Sequence, residues 1–278
     1  MRDYTHTDSE TVILQGLYTF PYLTAEQVTT LLYSPGSIQK VREYLKRLHD
    51  KEEVYRKPMF TQLQKGSSPF VYWLAAKGRN RLKKIGYDFT NWRQPADMEA
   101  FLKSSHFAHS MVATDFLIAA TLVPSIHSDI QLVSLMHDVT LKRIRNAAVI
   151  PDGLIHFLLP DGTNYYLIME VDLNTEKRVR FQEKIAHWMT YISSGDFASD
   201  YGIVDIPMFV FYTPMREHRV GEMLSFIEEA LYQLHEQQKA VWFRVGCGAI
   251  SPEMFFEERW YLPYDGSNQR KNISLLTL

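Results

Sequence analysis

Two apolar stretches, GLIHFLL (153–159) and YYLIMEV (165–171), flank Pro160-Asp161-Gly162, and the second runs into acids at Glu170, Asp172 and Glu176. Proline presets a turn and glycine supplies a positive φ, so this spacing predicts a β-hairpin. A second Pro-Asp-Gly, at 151–153, stands at the entrance of the first stretch, where no turn between strands is needed. That leaves Asp152 available for another task. Glu170 and Asp172 are two apart and so share a face of the return strand. Whether Asp152 joins them depends on register. A loop of Asp161-Gly162 alone would set Asp152 opposite Val171, facing away from both acids. A three-residue loop, Pro160 to Gly162 or Asp161 to Thr163, sets it opposite Glu170 or Asp172 instead. We therefore expect an odd-numbered loop or a bulge.

Three carboxylates gathered at the end of an apolar sheet repel one another, and a buried unpaired charge is costly. A divalent cation is the natural compensation. Mg²⁺ or Mn²⁺ takes carboxylate and water oxygens and would polarise a phosphate and activate a bound water. Lys184, about two turns into the helix predicted over TEKRVRFQEKIAHWMTYIS, can reach the same corner, in competition with Lys177, Arg178 and Arg180. The plainer reading is that Asp152 is a turn residue and that Asp172 or Thr175 caps the helix.

Around the hairpin, MEAFLKSSHFAHSMVATDFLIAATLV reads as one long helix and IQLVSLMHDVTLK as a strand or pair of strands. After the hairpin and its helix come the strand IPMFVFYT, the helix EHRVGEMLSFIEEALYQLHEQQ and the strand VWFRVG. The expected order α, β, β, β, α, β, α, β makes a mixed sheet flanked by helices.

The first ninety residues read differently. SETVILQGLYTF has helical periodicity, Thr24 with Gln27 three residues on is a capping-box pattern, and a third helix runs through SIQKVREYLKRLHDKEE. The strand VYRKPMF, the polar loop TQLQKGSSP, the strand FVYWLA and the basic helix AKGRNRLKKIG follow. Three helices, a hairpin and a helix is the winged helix-turn-helix order, in which the third helix enters the major groove. Gln39, Lys40, Arg42, Lys46 and Arg47 lie off its apolar stripe, and Arg56, Lys57 and Lys65 stand on the hairpin and its loop. Residues 36–93 hold 14 Lys and Arg against 5 Asp and Glu, whereas residues 94–278 hold 15 against 23. The basic half suits duplex DNA, the acidic half a cation. The segment 86–97, GYDFTNWRQPAD, breaks the periodicity. The expected domains are 1–88, a winged-helix DNA-binding domain, and 98–278, joined by a linker at 89–97.

Pro151-Asp152, an apolar hairpin, Glu170-x-Asp172, Thr175-Glu176 and a helix with Lys184 together resemble the PD-(D/E)xK nuclease superfamily. With the N-terminal winged helix and the helix holding His109 and Asp115, the chain resembles more narrowly the replication-relaxation family of plasmids and other mobile genetic elements. The resemblance covers nearly the whole chain, through domain order more than long identities. It implies a restriction-endonuclease-like α/β domain and a relaxase-like protein that binds an origin and nicks one strand. It further implies Asp152, Glu170 and Asp172 or Glu176 as metal ligands, with His109 auxiliary. The superfamily usually carries lysine two residues after the glutamate. Here Asp172 stands there, so either Lys184 has taken over the role or the nuclease chemistry is lost. The alternative is thus a non-catalytic DNA-binding regulator or accessory factor, whose second domain serves homodimerisation or recruits accessory proteins of the element.

The rest of the sequence narrows the class. One cysteine, Cys247, excludes an internal disulfide and a cysteine-based zinc site within the chain. The sequence contains no Gly-rich phosphate loop and no nucleophile elbow. MRDYTHTDSE has no apolar signal core, and no run approaches the roughly 18 apolar residues of a membrane span. A cytoplasmic location is expected, with no membrane partner.

Overall fold

Thr24, the residue expected to open a helix, does so in the computed structural model. Its hydroxyl accepts the Gln27 N–H at 3.1 Å while the Gln27 side chain accepts the Thr24 N–H at 3.0 Å, so both groups otherwise orphaned at a helix start are satisfied. The structure describes residues 8–59, 69–142, 149–174, 176–215, 217–263 and 272–276. The chain is a mixed α+β protein and divides into two compact units, Met1–Phe107 and Ala108–Leu278.

The first unit contains α1 (Ser9–Thr19), β1 (Leu23–Thr24), α2 (Ala25–Leu32), α3 (Ile38–Asp50), β2 (Val54–Pro58), β3 (Phe70–Leu74), α4 (Ala76–Lys84) and α5 (Met98–Lys103). Its sheet has the order β1-β3-β2, antiparallel throughout. The two-residue β1 is too short to leave a periodic trace and was not expected. Val41, Leu45 and Leu48 of α3 are buried with Ile13, Leu14 and Leu17 of α1 and Val28 of α2. Glu10 ties three helices together. It is nearly buried and accepts Arg47 Nε at 2.9 Å and Lys51 Nζ at 2.5 Å, with Arg81 of α4 at 3.7 Å. Burial alone would raise its pKa, but these bonds and charges outweigh it and hold the carboxyl below its ordinary value. The expected polar loop over 61–69, with Lys65, lies almost wholly outside the described residues.

The second unit is built on a seven-stranded mixed sheet of order β10-β9-β8-β7-β6-β5-β4. Its strands are β4 (Gln131–His137), β5 (Gly153–Leu158), β6 (Asn164–Val171), β7 (Met208–Thr213), β8 (Phe243–Cys247), β9 (Trp260–Tyr261) and β10 (Asn272–Ile273). Its helices are α6 (Ser105–Ile126), which crosses the division between the units in its first turn, α7 (Asp138–Leu141), α8 (Arg178–Ser193), α9 (Asp196–Tyr201) and α10 (Glu217–Gln233). β6, β7 and β8 run parallel, and the flanking pairs are antiparallel. Phe181, Ile185 and Trp188 of α8 and Met223 and Ile227 of α10 pack with Ile168, Phe209 and Phe211 of the sheet. Phe116 of α6 meets Tyr212 and Trp260, at ring separations of 5.7 and 6.2 Å. Alternation puts Tyr212 on the opposite face from Phe211, so the sheet lies between two helical layers.

Two expectations need correction. The single helix expected from residue 98 breaks at Ser104, whose backbone is extended (φ −78°, ψ 152°) and whose hydroxyl donates to the Phe101 carbonyl at 2.7 Å. The stretch expected as strand through 142 turns at His137 into the one-turn α7. Within α6, residues 106–126 have the length and mean hydropathy of a membrane span, and more than half of that apolar stretch is buried inside the protein.

The loop between β5 and β6 has three residues. Leu158 pairs with Asn164, and the Leu159 N–H donates to the Thr163 carbonyl, leaving Pro160 to Gly162 as the turn, with Gly162 at φ 85°.

Gly78 in α4 is fixed by packing, since a Cβ there would stand 2.2 Å from the Glu53 carbonyl oxygen. Helix propensity alone would make Gly78→Ala stabilising by about 1 kcal/mol. The clash reverses that sign, because a backbone carbonyl cannot step aside as a side chain can. The variant is expected to unfold at a lower temperature than the wild type in calorimetry, and an equal or higher midpoint would show the contact to be relaxed at little cost.

Candidate active site

The three-residue loop has one consequence at the far end of the hairpin. Gly153 pairs with Met169, and the Asp152 N–H donates to the Met169 carbonyl at 3.1 Å, so Asp152 stands opposite Glu170. One carboxylate oxygen of Asp152 accepts the Val171 N–H at 2.8 Å and meets Nε2 of His109, from α6, at 2.7 Å. Burial pulls the His109 pKa down, but the hydrogen bond and charge of Asp152, with a smaller contribution from Glu170, leave it above its ordinary value. His109 is thereby favoured as a cation that donates to Asp152.

Glu170 is only 4 % exposed. Lys184 Nζ lies 3.3 Å from its Oε2 and 3.0 Å from Oε2 of Glu176. The other oxygen, Oε1, is buried with no hydrogen-bond partner among the described residues. Burial, with the charges of Asp152 and Glu176, outweighs Lys184 and pushes the carboxyl up to about 7. Lys184 moves the other way from a buried amine: burial would lower its pKa, yet Glu170 and Glu176 raise it, so it remains charged. Glu170 is therefore the acid of this set whose charged form is least well supported by its surroundings, a condition common among functional carboxylates.

Asp152, Glu170, Glu176, Lys184 and His109 are thus brought together, whereas Asp172 is not. Its Oδ2 receives Arg219 of α10, with Nε at 2.7 Å, and its Oδ1 accepts the Asn174 N–H at 2.7 Å. Oδ2 is engaged in an ion pair that is almost fully buried and Oδ1 by the backbone, so Asp172 is withdrawn from the cluster. Asp172 does not cap α8, whose N-cap is Lys177, and Thr175 lies outside the described residues. Among the described residues, no three His, Cys, Asp or Glu side chains converge as a metal-holding group. Arg219 escaped the sequence reading. The available signal was a charged residue beside Val220, Met223 and Leu224 on the buried stripe of an amphipathic helix.

On α3 of the first unit, Gln39, Lys40, Arg42, Lys46 and Arg47 are all exposed. Arg42 pairs with Glu26 at 2.9 Å, with both partners about half exposed, whereas Arg47 serves the nearly buried Glu10. On β2, Arg56 lies over the Phe70 ring and Lys57 pairs with Glu99. Lys65 is outside the described residues.

A family model described as replication-relaxation matches residues 14–206, more than two thirds of the chain. The chain belongs to the replication-relaxation family. The match takes in α3, Asp152, Glu170 and Lys184 of this replication-relaxation protein and ends before β7, so Arg219 lies beyond it. No curated protein and no solved structure matches the chain.

The imidazole of His109 is expected to titrate above the ordinary value of about 6.5 in a pH series of NMR spectra, and Asp152→Asn should bring it down. The corresponding stability follows from linkage. It is fully present below the unfolded-state pKa and is lost as the pH rises through the higher folded-state value. A wild-type His109 titrating at or below the ordinary value would contradict the assigned ion pair.

Proposed function

We propose that this replication-relaxation protein recognises duplex DNA through a winged helix in its first unit and nicks one strand at a PD-(D/E)xK-type site in its second. The observation that carries the reading is the placement of Asp152 opposite Glu170, with the ammonium of Lys184 3.3 Å from the latter. The lysine that the superfamily places two residues after the glutamate is here supplied from α8.

A divalent cation fits a part of this set. Asp152 and Glu170 offer hard oxygens, and the unpartnered Glu170 Oε1 is a buried acceptor that such an ion would satisfy. Mg²⁺ is commonly held by only one or two carboxylates, with water and substrate phosphate completing its shell. Asp152 and Glu170 would hold the ion, with Glu176 near by, and Asp172 is withdrawn from the set. When bound, Mg²⁺ or Mn²⁺ would polarise the scissile phosphate and lower the pKa of a coordinated water. Lys184 faces developing negative charge on the phosphate, the role of a preorganised cation in phosphoryl chemistry. His109 orients Asp152 and holds a proton on Nε2.

In the first unit, support comes from helix order and from the outward residues of α3. Exposed ion pairs such as Arg42–Glu26 are worth about 0–1 kcal/mol, so a phosphate can displace Glu26 at little cost. Arg47 is a poorer candidate, since leaving would strip a nearly buried carboxylate. Gln39, Lys40, Arg42 and Lys46 are therefore the preferred contacts, with Arg56 and Lys57 at the hairpin.

A second reading has its own observation. Each carboxylate around the site already has a cation beside it, Lys184 between Glu170 and Glu176, Arg219 on Asp172 and His109 on Asp152, so the site can be held together by side chains alone. On this reading the protein is a DNA-binding regulator or accessory factor, and its second unit mediates dimerisation or binds other proteins of the element.

Supercoiled plasmid carrying the element's own flanking sequence should be nicked by the wild type with Mn²⁺ or Mg²⁺, and not by Asp152→Ala or Glu170→Ala. Intact binding by all three proteins with no nicking under either metal would select the regulator. For the DNA contacts, Lys40→Ala and Lys46→Ala should weaken binding across sequences and each reduce the log–log salt slope by about 1. An unchanged slope in the double variant would remove α3 from the interface.

A further inference from the structure

Arg219 of α10 is 3 % exposed, and its guanidinium is spread over more than one carboxylate. Nε donates to Asp172 Oδ2 at 2.7 Å, and Nη2 donates both to that oxygen and to the backbone carbonyl of Glu176, the latter at 3.0 Å. Nη1 donates to Glu222 Oε2 at 2.9 Å. One rigid group therefore grips both ends of the turn that leads from β6 into α8. Inside the turn the chain passes through Asn174 at φ 61°, and the Asn174 N–H is held by Asp172 Oδ1 at 2.7 Å. Asparagine enters the left-handed region more readily than other residues with a side chain, and its N–H is held there by the same Asp172 that Arg219 grips.

What the turn delivers is Glu176. The residue whose carbonyl Arg219 holds places its carboxylate 3.0 Å from Lys184 Nζ, and the same ammonium stands 3.3 Å from Glu170. Lys184 is thereby shared between two acids, nearer to Glu176. With Glu176 withdrawn, the ammonium would be drawn onto Glu170 alone, the only other acid within ion-pair distance of it among the described residues.

We propose that Arg219 is a positioning residue of the candidate active site, acting through the 172–176 turn and Glu176 to keep Lys184 shared and so leave a Glu170 oxygen for an incoming group. The inference rests on the nicking reading for its catalytic meaning, while its geometry stands apart from it. It also gives the chain beyond the family match a part in the site. A buried guanidinium needs acceptors for its N–H donors. Here one of those acceptors is the carbonyl of Glu176, whose own side chain meets Lys184, so the bond that satisfies Arg219 also fixes the backbone from which that carboxylate extends.

The test compares the full-length wild type with Arg219→Gln, Arg219→Lys and Asp172→Asn, each kept well below its own unfolding temperature. The first readout is the NMR signal of the Lys184 ammonium, assigned by its loss in Lys184→Arg. In Arg219→Gln that signal should shift or exchange faster with water. Arg219→Lys, which keeps the charge but cannot span both ends of the turn, should fail to restore it. The second readout is nicking with Mn²⁺, where a fall of at least ten-fold in kcat with little change in KM for DNA is expected. A Lys184 signal unchanged in Arg219→Gln overturns the proposal, however much stability the variant loses. If Arg219→Gln does not fold, Asp172→Asn breaks the clamp from its other side and must move the signal in the same way. An unchanged signal there is equally decisive against it. A shifted signal in a protein whose wild type never nicks supports the positioning and removes only the nicking reading.

Discussion

The register of β5 against β6 determines whether the second unit has a site at all. Side chains alternate along a strand, so a slip of one residue turns the whole set to the other face. With Pro160 to Gly162 as the loop, Leu158 meets Asn164, Gly153 meets Met169, and Asp152 falls opposite Glu170. Burial does not make that choice, because both faces of the hairpin are covered: Leu154 and Ile168 join the core under α8 and α10, and Ile155, Phe157, Leu167 and Met169 are buried on the other face. The three-residue turn sets the register instead. It thereby brings two carboxylates to the end of an apolar sheet that would, on energetic grounds alone, exclude them.

The carboxylates are tolerated because each is assigned a cation from a different element. Asp152 has His109 from α6, Glu170 and Glu176 share Lys184 from α8, and Asp172 has Arg219 from α10. These pairs are not equivalent. In the Asp172–Arg219 pair two guanidinium nitrogens converge on one carboxylate oxygen, the other oxygen accepts a backbone N–H, and both side chains are almost fully buried, so further hydrogen bonds offset the desolvation cost. Glu170 is half served, with one oxygen facing a lysine at a long distance and the other without a hydrogen-bond partner among the described residues. Its raised pKa reflects this poor solvation. Asp172 has both oxygens satisfied, whereas Glu170 keeps accepting capacity in reserve.

How much of this was legible in the sequence follows from how local each cause is. The capping box at Thr24 and the hairpin turn depend on neighbours in the chain and were readable. The odd loop length was inferred from a functional argument and agrees with the register. Reaching Glu170 from Lys184 needed only one strand, one turn and one helix. The role of Arg219 was hidden because it lies 47 residues from Asp172, and nothing in either local sequence announces the other. The acid at 172 was read as a metal ligand for the same reason. A carboxylate in a strand-end motif looks the same whether its partner is a metal or a guanidinium on a helix not yet placed. The short elements β1, β9 and β10 are held by ladder bonds to long-range partners, and two residues leave no period to detect. The break at Ser104 is legible only through the competition of a serine hydroxyl for a backbone carbonyl.

On the proposed nuclease reading, the acid at 172 and the lysine at 184 follow from the same geometry. A lysine two residues after Glu170 would share its face, and its direction would be set by the strand. Here that position is given to an acid which α10 locks in place, and the cation arrives from α8. Phe181, Ile185 and Trp188, buried on the face of α8 from which Lys184 emerges, set where its ammonium can reach. The cation is consequently as well positioned as the helix packing beneath it and the turn that leads into it. An arrangement in which strand, turn and two helices must agree before one ammonium is placed is more exposed to mutation than a lysine in the strand. It also allows residues outside the hairpin, such as Arg219, to adjust the charge beside Glu170 without touching that residue.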